Sequence, residues 1–183
     1  MRKIETIVEA LFENDETQSA TPSQFIAYFW QKYASTYEGN PSLNGGVFEE
    51  LIAKVLQKEG LLPFYVQAKV AFIPNVDYDF ILYTKERGPI VLSCKTSLRE
   101  RYKQADLEAL ALKQIHRKSQ SFVLSLNKKE VQTRRKKLDE VMAIDDFIDA
   151  RDEGFDTFIE MLKEYTCVLA PEVPVIRSNR IID

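Results

Sequence analysis

Residues 78–108 read YDFILYTKERGPIVLSCKTSLRERYKQADLE, and this stretch decides the fold. Two short runs rich in β-branched and aromatic side chains, DFILY (79–83) and IVLSC (90–94), flank the turn TKERGP. Such runs, separated by a turn holding Gly and Pro, read as paired antiparallel strands. The pattern then changes. Ser97 with Glu100 three residues on reads as a capping box, which predicts a helix from Ser97 to about Arg117. Lys95 closes the second strand, just ahead of that helix.

Working outward, FYVQAKVAFI (64–73) alternates well enough to be the first strand of a meander, broken by Pro74 and Asn75. Before it, GGVFEELIAKVLQKEG places Phe48, Leu51, Ile52, Val55 and Leu56 on one helical face, with Gly60 as the stop. Helices are also expected over 2–13 and 22–37, the second opened by Pro22. ENDETQSATPS and EGNPSLNGG are expected loops. Downstream, SFVLSL (121–126) reads as a fourth strand, and 128–141 and 155–165 as helices. The tail carries Pro171 and Pro174 and takes no assignment. The sum is an α/β or α+β domain with a mixed sheet. It is expected to span 1–183 as one unit, with an N-terminal helical part (1–43), a core (44–127) and a C-terminal helical part (128–183).

Length and composition suit a soluble chain: 183 residues, 45% apolar and 29% charged. No apolar run approaches the ~20 residues of a membrane span. The basic start MRK is followed at once by acids, without the core of a signal peptide, so a cytoplasmic address is expected. Cys94 and Cys167 lie far apart and outside any zinc-type spacing. With His116 the single histidine, chemistry resting on a histidine pair is excluded. Carboxylates, lysine and a metal remain.

Net charge is −3, yet it is unevenly spread. From Lys95 to Lys137 there are thirteen lysines and arginines against four acids, a net of +9. The rest holds twelve against twenty-four, a net of −12. Such asymmetry points to a polyanionic partner or to a solvated helix surface.

Strand side chains alternate faces. Asp77 and Asp79 therefore share a face, as do Ser93 and Lys95 on the next strand. A carboxylate beside a lysine on adjacent strand ends can hold a divalent metal, orient a water and offset phosphate charge, the elements of metal-assisted phosphodiester hydrolysis. The same pair also serves as an ordinary surface ion pair.

These pieces resemble the PD-(D/E)xK nuclease superfamily, and within it the type II restriction endonucleases. The resemblance runs from about Gly45 to Lys118. Asp79 in YDFIL takes the aspartate position and Lys95 the lysine position, while Ser93 stands where the pattern has an acid. One branch, whose members read sites with CC and GG halves, is similar in having S-x-K, about a dozen residues, then Glu. Here Ser93-x-Lys95 is followed by twelve residues and Glu108. The branch's R-(D/E)-R element is matched by Arg99-Glu100-Arg101. A helix glutamate after an aromatic near the metal is matched by Glu49 in VFEEL.

The resemblance implies a restriction-endonuclease-like three-layer core, a central mixed sheet flanked by helices. It implies one or two Mg2+ ions per active site on Asp79 and Glu108 with help from Glu49, and Lys95 as the residue that positions water. Asp77 stays open as the alternative ligand. Arginine pairs well with guanine O6 and N7, so Arg99 and Arg101 are expected to read G·C pairs with Glu100. Gln104, on the helix face between Arg101 and Glu108, is expected beside DNA. Lys103, Lys113, Arg117 and Lys118 are expected on phosphates, as is the KKEVQTRRKK run in its sharper reading. Cys94 is expected to pack in the sheet, and His116 at the helix surface or on phosphate. A double-stranded DNA partner, a homodimer on a palindromic site and a cognate DNA methyltransferase complete the expectation.

Two other readings share these residues. One is a nuclease of the same fold acting in repair or on branched DNA. The other is a catalytically silent DNA-binding protein, suggested by Ser93 in place of the acid. The silent protein would bind DNA without metal and cut nothing.

Overall fold

The computed structural model describes residues 2–13, 19–171 and 176–182. Three helices come first: α1 (Arg2–Phe12), α2 (Pro22–Thr36) and α3 (Pro41–Lys58). Strands β1 (Phe64–Val70), β2 (Tyr78–Thr84) and β3 (Gly88–Lys95) follow, then α4 (Arg101–Ile115) and β4 (Gln120–Ser125). The remainder is α5 (Lys128–Arg135), a 3-10 turn (Leu138–Glu140), β5 (Asp146–Asp149), α6 (Glu153–Lys163) and β6 (Ile176–Ile182).

The six strands form one mixed sheet in the order β5-β4-β3-β2-β1-β6. β1, β2 and β3 are an antiparallel meander; β4 and β5 run parallel to β3, and β6 closes the β1 edge antiparallel. One face packs Phe64, Phe80, Leu92 and Leu124 against α2, α3 and α6. The other packs Tyr65, Ile81, Val91, Val123 and Phe147 against α4 and α5. This is the expected three-layer α/β core, a mixed sheet between helices. Among the described residues no helix is long and apolar enough to cross a membrane.

Several local expectations need correction. α3 starts at Pro41, inside the stretch read as a loop, so the boundary drawn at residue 43 falls within a helix. Asn40 caps it by accepting from the Leu43 N–H at 2.9 Å. α1 lies against this helix at Gly46, where a Cβ would come within 2.4 Å of the tip of the Ile4 side chain. The C-terminal part is not helical throughout. α5 stops at Arg135, β5 lies in DFID, and part of the tail is β6. β5 is only four residues long and bounded by acids, too short for a clear alternating signal. Part of the expected loop ENDETQSATPS lies outside the described residues.

Candidate active site

The β2–β3 ladder runs from Thr84↔Gly88 to Phe80↔Leu92. Asp79 lies one residue past that last pair. There its Oδ2 takes the place of a ladder carbonyl and accepts the Cys94 N–H at 2.7 Å. The same oxygen accepts from Ser93 Oγ at 3.3 Å and from Lys95 Nζ at 3.2 Å. Three consecutive residues of β3 thus converge on one carboxylate oxygen. Both charged side chains are mostly covered, Asp79 being 11% and Lys95 21% exposed. An ion pair this covered is screened much less than a surface pair.

Gln67 extends the cluster to α3. Its Nε2 donates to Glu49 Oε2 at 2.9 Å and, more weakly, to Asp79 Oδ1 at 3.4 Å. Gln67 has φ +48°, a left-handed conformation rare for a residue with a side chain. The kink changes which way β1 faces. Before it Phe64 and Val66 pack toward α3, and after it Ala68 and Val70 pack on the opposite layer with Tyr65. Sequence reading missed Gln67. Its one signal is a polar residue interrupting an apolar strand.

The electrostatics report crowded negative charge. Burial, and then the Asp79 charge, raise the Glu49 carboxyl from 4.5 to about 7, against the Gln67 hydrogen bond and the Lys95 charge. Burial pulls Lys95 down, but the charge and hydrogen bond of Asp79 outweigh it, so its pKa lies above the ordinary lysine value. Lys95 is therefore an ammonium at neutral pH: a donor, not a proton acceptor. Cys94 is buried, and burial raises its thiol well above the usual range, as expected of a packed cysteine.

Glu108 approaches from α4. It lines a small cleft with Ser93 and Tyr78, and the Tyr78 hydroxyl donates to the Glu108 carbonyl at 3.0 Å, pinning α4 to β2. Burial raises the Glu108 carboxyl, a hydrogen bond from Gln104 lowers it, and it feels the charges of both Lys95 and Asp79. Gln104 Nε2 donates to Glu108 Oε1 at 2.8 Å, which gives this residue a role in holding Glu108. Asp77 is set apart: it is exposed and pairs with Lys69 at 3.6 Å. Of the two aspartates, Asp79 is the one in the cluster.

The capping box at Ser97 does not form. α4 begins at Arg101, and Glu100 sits at its N-cap without a side-chain cap bond. Ser97 Oγ and the Leu98 N–H instead donate to the Glu130 carboxylate of α5, the latter at 2.6 Å. Leu98 is wholly buried, and Arg99 turns the chain with φ +31°. Arg99, Glu100 and Arg101 are all exposed, with Glu100 paired to Lys103. Lys113 is not free for phosphate, because Asp145 binds it at 2.9 Å. Arg117 and Lys118 precede the start of β4, whereas Lys95 aligns with Ser125 at its end. At ~3.3 Å per residue this places them at the opposite end of the strands. His116 has its Nε2 buried without a partner, so that atom faces inward and not toward a ligand in solvent.

Among the described residues no three His, Cys, Asp or Glu side chains stand close enough to grip a metal by themselves. Mg2+ does not require this: one or two carboxylates with phosphate and water oxygens make its usual shell. Asp79, Glu108 and Glu49 offer oxygen donors of the kind such an ion takes, with Lys95 to balance their charge.

No protein-family model matches the sequence, and no curated protein matches it. Among solved structures, the complex of restriction endonuclease PspGI with its substrate DNA is similar in fold, with a TM-score of 0.56 and 19% identity. The match covers 94% of this chain and 80% of that one. The fold is restriction-endonuclease-like.

Proposed function

We propose that the protein is a Mg2+-dependent endodeoxyribonuclease of the type II restriction kind, making double-strand cuts at a short palindromic site with CC and GG halves. One observation carries this reading. Asp79 gathers Ser93, Cys94 and Lys95 onto a single oxygen, with Glu49 and Glu108 within electrostatic reach. The likeness in fold to a restriction endonuclease bound to DNA supports it.

In this reading Asp79 and Glu108, with Glu49, would hold one or two ions, which would supply Lewis-acid activation of the scissile phosphate and its attacking water. Lys95, held charged by Asp79, donates to the phosphate and stabilises the negative charge that builds on it. Ser93 supports Asp79 through its hydroxyl in place of a second acid. Gln67 keeps Asp79 and Glu49 apart yet coupled. Gln104 fixes the Glu108 rotamer. Arg99 and Arg101, exposed at the start of α4, contact guanines. Two chains act on one site, and a methyltransferase protecting that site is expected alongside.

The test is incubation of unmethylated duplex DNA with protein and Mg2+, followed by sequencing of the fragment ends. Discrete ends at one G·C-rich sequence are expected. Lys95→Ala and Glu108→Ala should each lower cutting at least about 10²-fold with unchanged circular dichroism. DNA binding without any cutting would instead identify a silent binding protein.

A further inference from the structure

A second group of cations lies away from the carboxylate cluster. A cavity of about 170 Å3 opens between the 98–99 turn and α5, lined by Leu98, Arg99, Lys129, Glu130, Thr133 and Arg134. It carries three cations against one carboxylate. That carboxylate is committed, since Glu130 accepts from Ser97 and Leu98. The Thr133 hydroxyl is also engaged, donating to the Lys129 carbonyl at 2.8 Å. Among the described residues neither Arg99 nor Lys129 makes an ion pair, while the neighbours Lys128, Arg135 and Lys137 all do.

Arg134 is held ready. Its Nη1 donates to the Tyr102 hydroxyl at 2.9 Å, and its guanidinium lies 4.1 Å over the Tyr102 ring. A guanidinium has five donors, so most remain for a ligand. A fixed arginine with two unpaired cations around a concave site suits a tetrahedral anion. The position in the fold says which anion. β3 and β4 run parallel and end together at Lys95 and Ser125. The 98–99 turn follows β3 and α5 follows β4, so the cavity opens at the same end of the strands as Lys95.

We propose that Lys129 and Arg134 bind a backbone phosphate of the same DNA duplex in this pocket, with Arg99 at its rim, next to the segment that contacts bases. The inference rests on the nuclease reading for its duplex, but not for its chemistry. The pocket fixes register on the duplex and reads no sequence. Lys129 is the member to test, because Arg134 also packs on Tyr102 and Arg99 is assigned to bases.

Affinity for a cognate duplex and for one of scrambled sequence is measured by fluorescence anisotropy across a salt series, with Ca2+ in place of Mg2+. Lys129→Ala should weaken both duplexes by the same factor and reduce the slope of log K against log salt by about one. Lys129→Arg should restore the slope. Lys85→Ala, which removes a charge from the hairpin turn at the opposite end of the strands, should leave the slope unchanged. An unchanged slope in Lys129→Ala, with wild type binding and cutting normally, overturns the pocket and spares the nuclease reading. A reduced slope in a protein that never cuts supports the pocket and removes the nuclease. Inorganic phosphate raising the melting temperature as much as duplex does, with the slope unchanged, would assign the pocket to a free anion and overturn the proposal. A wild type that binds no DNA overturns both.

Discussion

At the scale of single residues, the carboxylate crowding has consequences that do not need activity to be measured. Glu49 titrates at about 7 in the folded chain against 4.5 ordinarily. Between those values the folded chain holds a proton that the unfolded chain has released, so stability declines as pH climbs through that window. Glu49→Gln should therefore stabilise the metal-free protein at pH 8, by on the order of 2 kcal/mol, and the gain should vanish toward pH 4.5 in thermal melts. Gln67→Leu should act in the opposite sense on the site. Losing its hydrogen bond raises Glu49 further, so the acidic limb of the pH–rate profile should move to higher pH. The Asp79–Lys95 pair was legible in the sequence because alternation of period two puts both at strand ends on neighbouring strands. Gln67 was not legible, because a left-handed φ in mid-strand changes the phase of β1 and leaves no trace in alternation.

At the scale of elements, the segment between β3 and α4 is held by α5 and not by its own cap. Glu130 binds Ser97 and Leu98, and Asn127 accepts from the Glu130 N–H in turn. Glu130→Ala should lower discrimination between cognate and near-cognate sites more than it lowers total DNA binding, as read by competition assays. Hydrogen bonds to charged groups contribute about 1.5–3 kcal/mol, so a fall in melting temperature is expected too. Asp106 does the same for the loop before β5. It is 5% exposed and accepts the N–H groups of Met142, Ala143 and Ile144. Asp106→Ala orphans these amides and should cost about 3 kcal/mol or more, a drop of roughly 6–12 °C for a chain of this size. The helices with strong apolar faces were legible. The capping box at Ser97 misled because local sequence cannot report that a glutamate thirty-three residues on binds the Ser97 hydroxyl and the Leu98 N–H.

At the scale of the whole molecule, the +9 segment is not one surface. Topology divides it, sending Arg117 and Lys118 to one end of the strands and Arg99, Arg101 and Lys129 to the other. Steering of DNA should therefore fall on the second group. A palindromic target is matched by two-fold symmetry, so sedimentation of the protein with a cognate duplex in Ca2+ should give two chains per duplex. The sheet holds a further consequence in its order. β1 carries Gln67 at its kink, and its outer edge is covered by β6, whose residues follow every one of the candidate catalytic groups in the chain. A ribosome adding about 5–20 residues per second leaves that edge open for roughly 5 to 20 s. During biosynthesis the half-made sheet is thus a template for stray strands, and slower translation lengthens the interval in which a chaperone has to shield it.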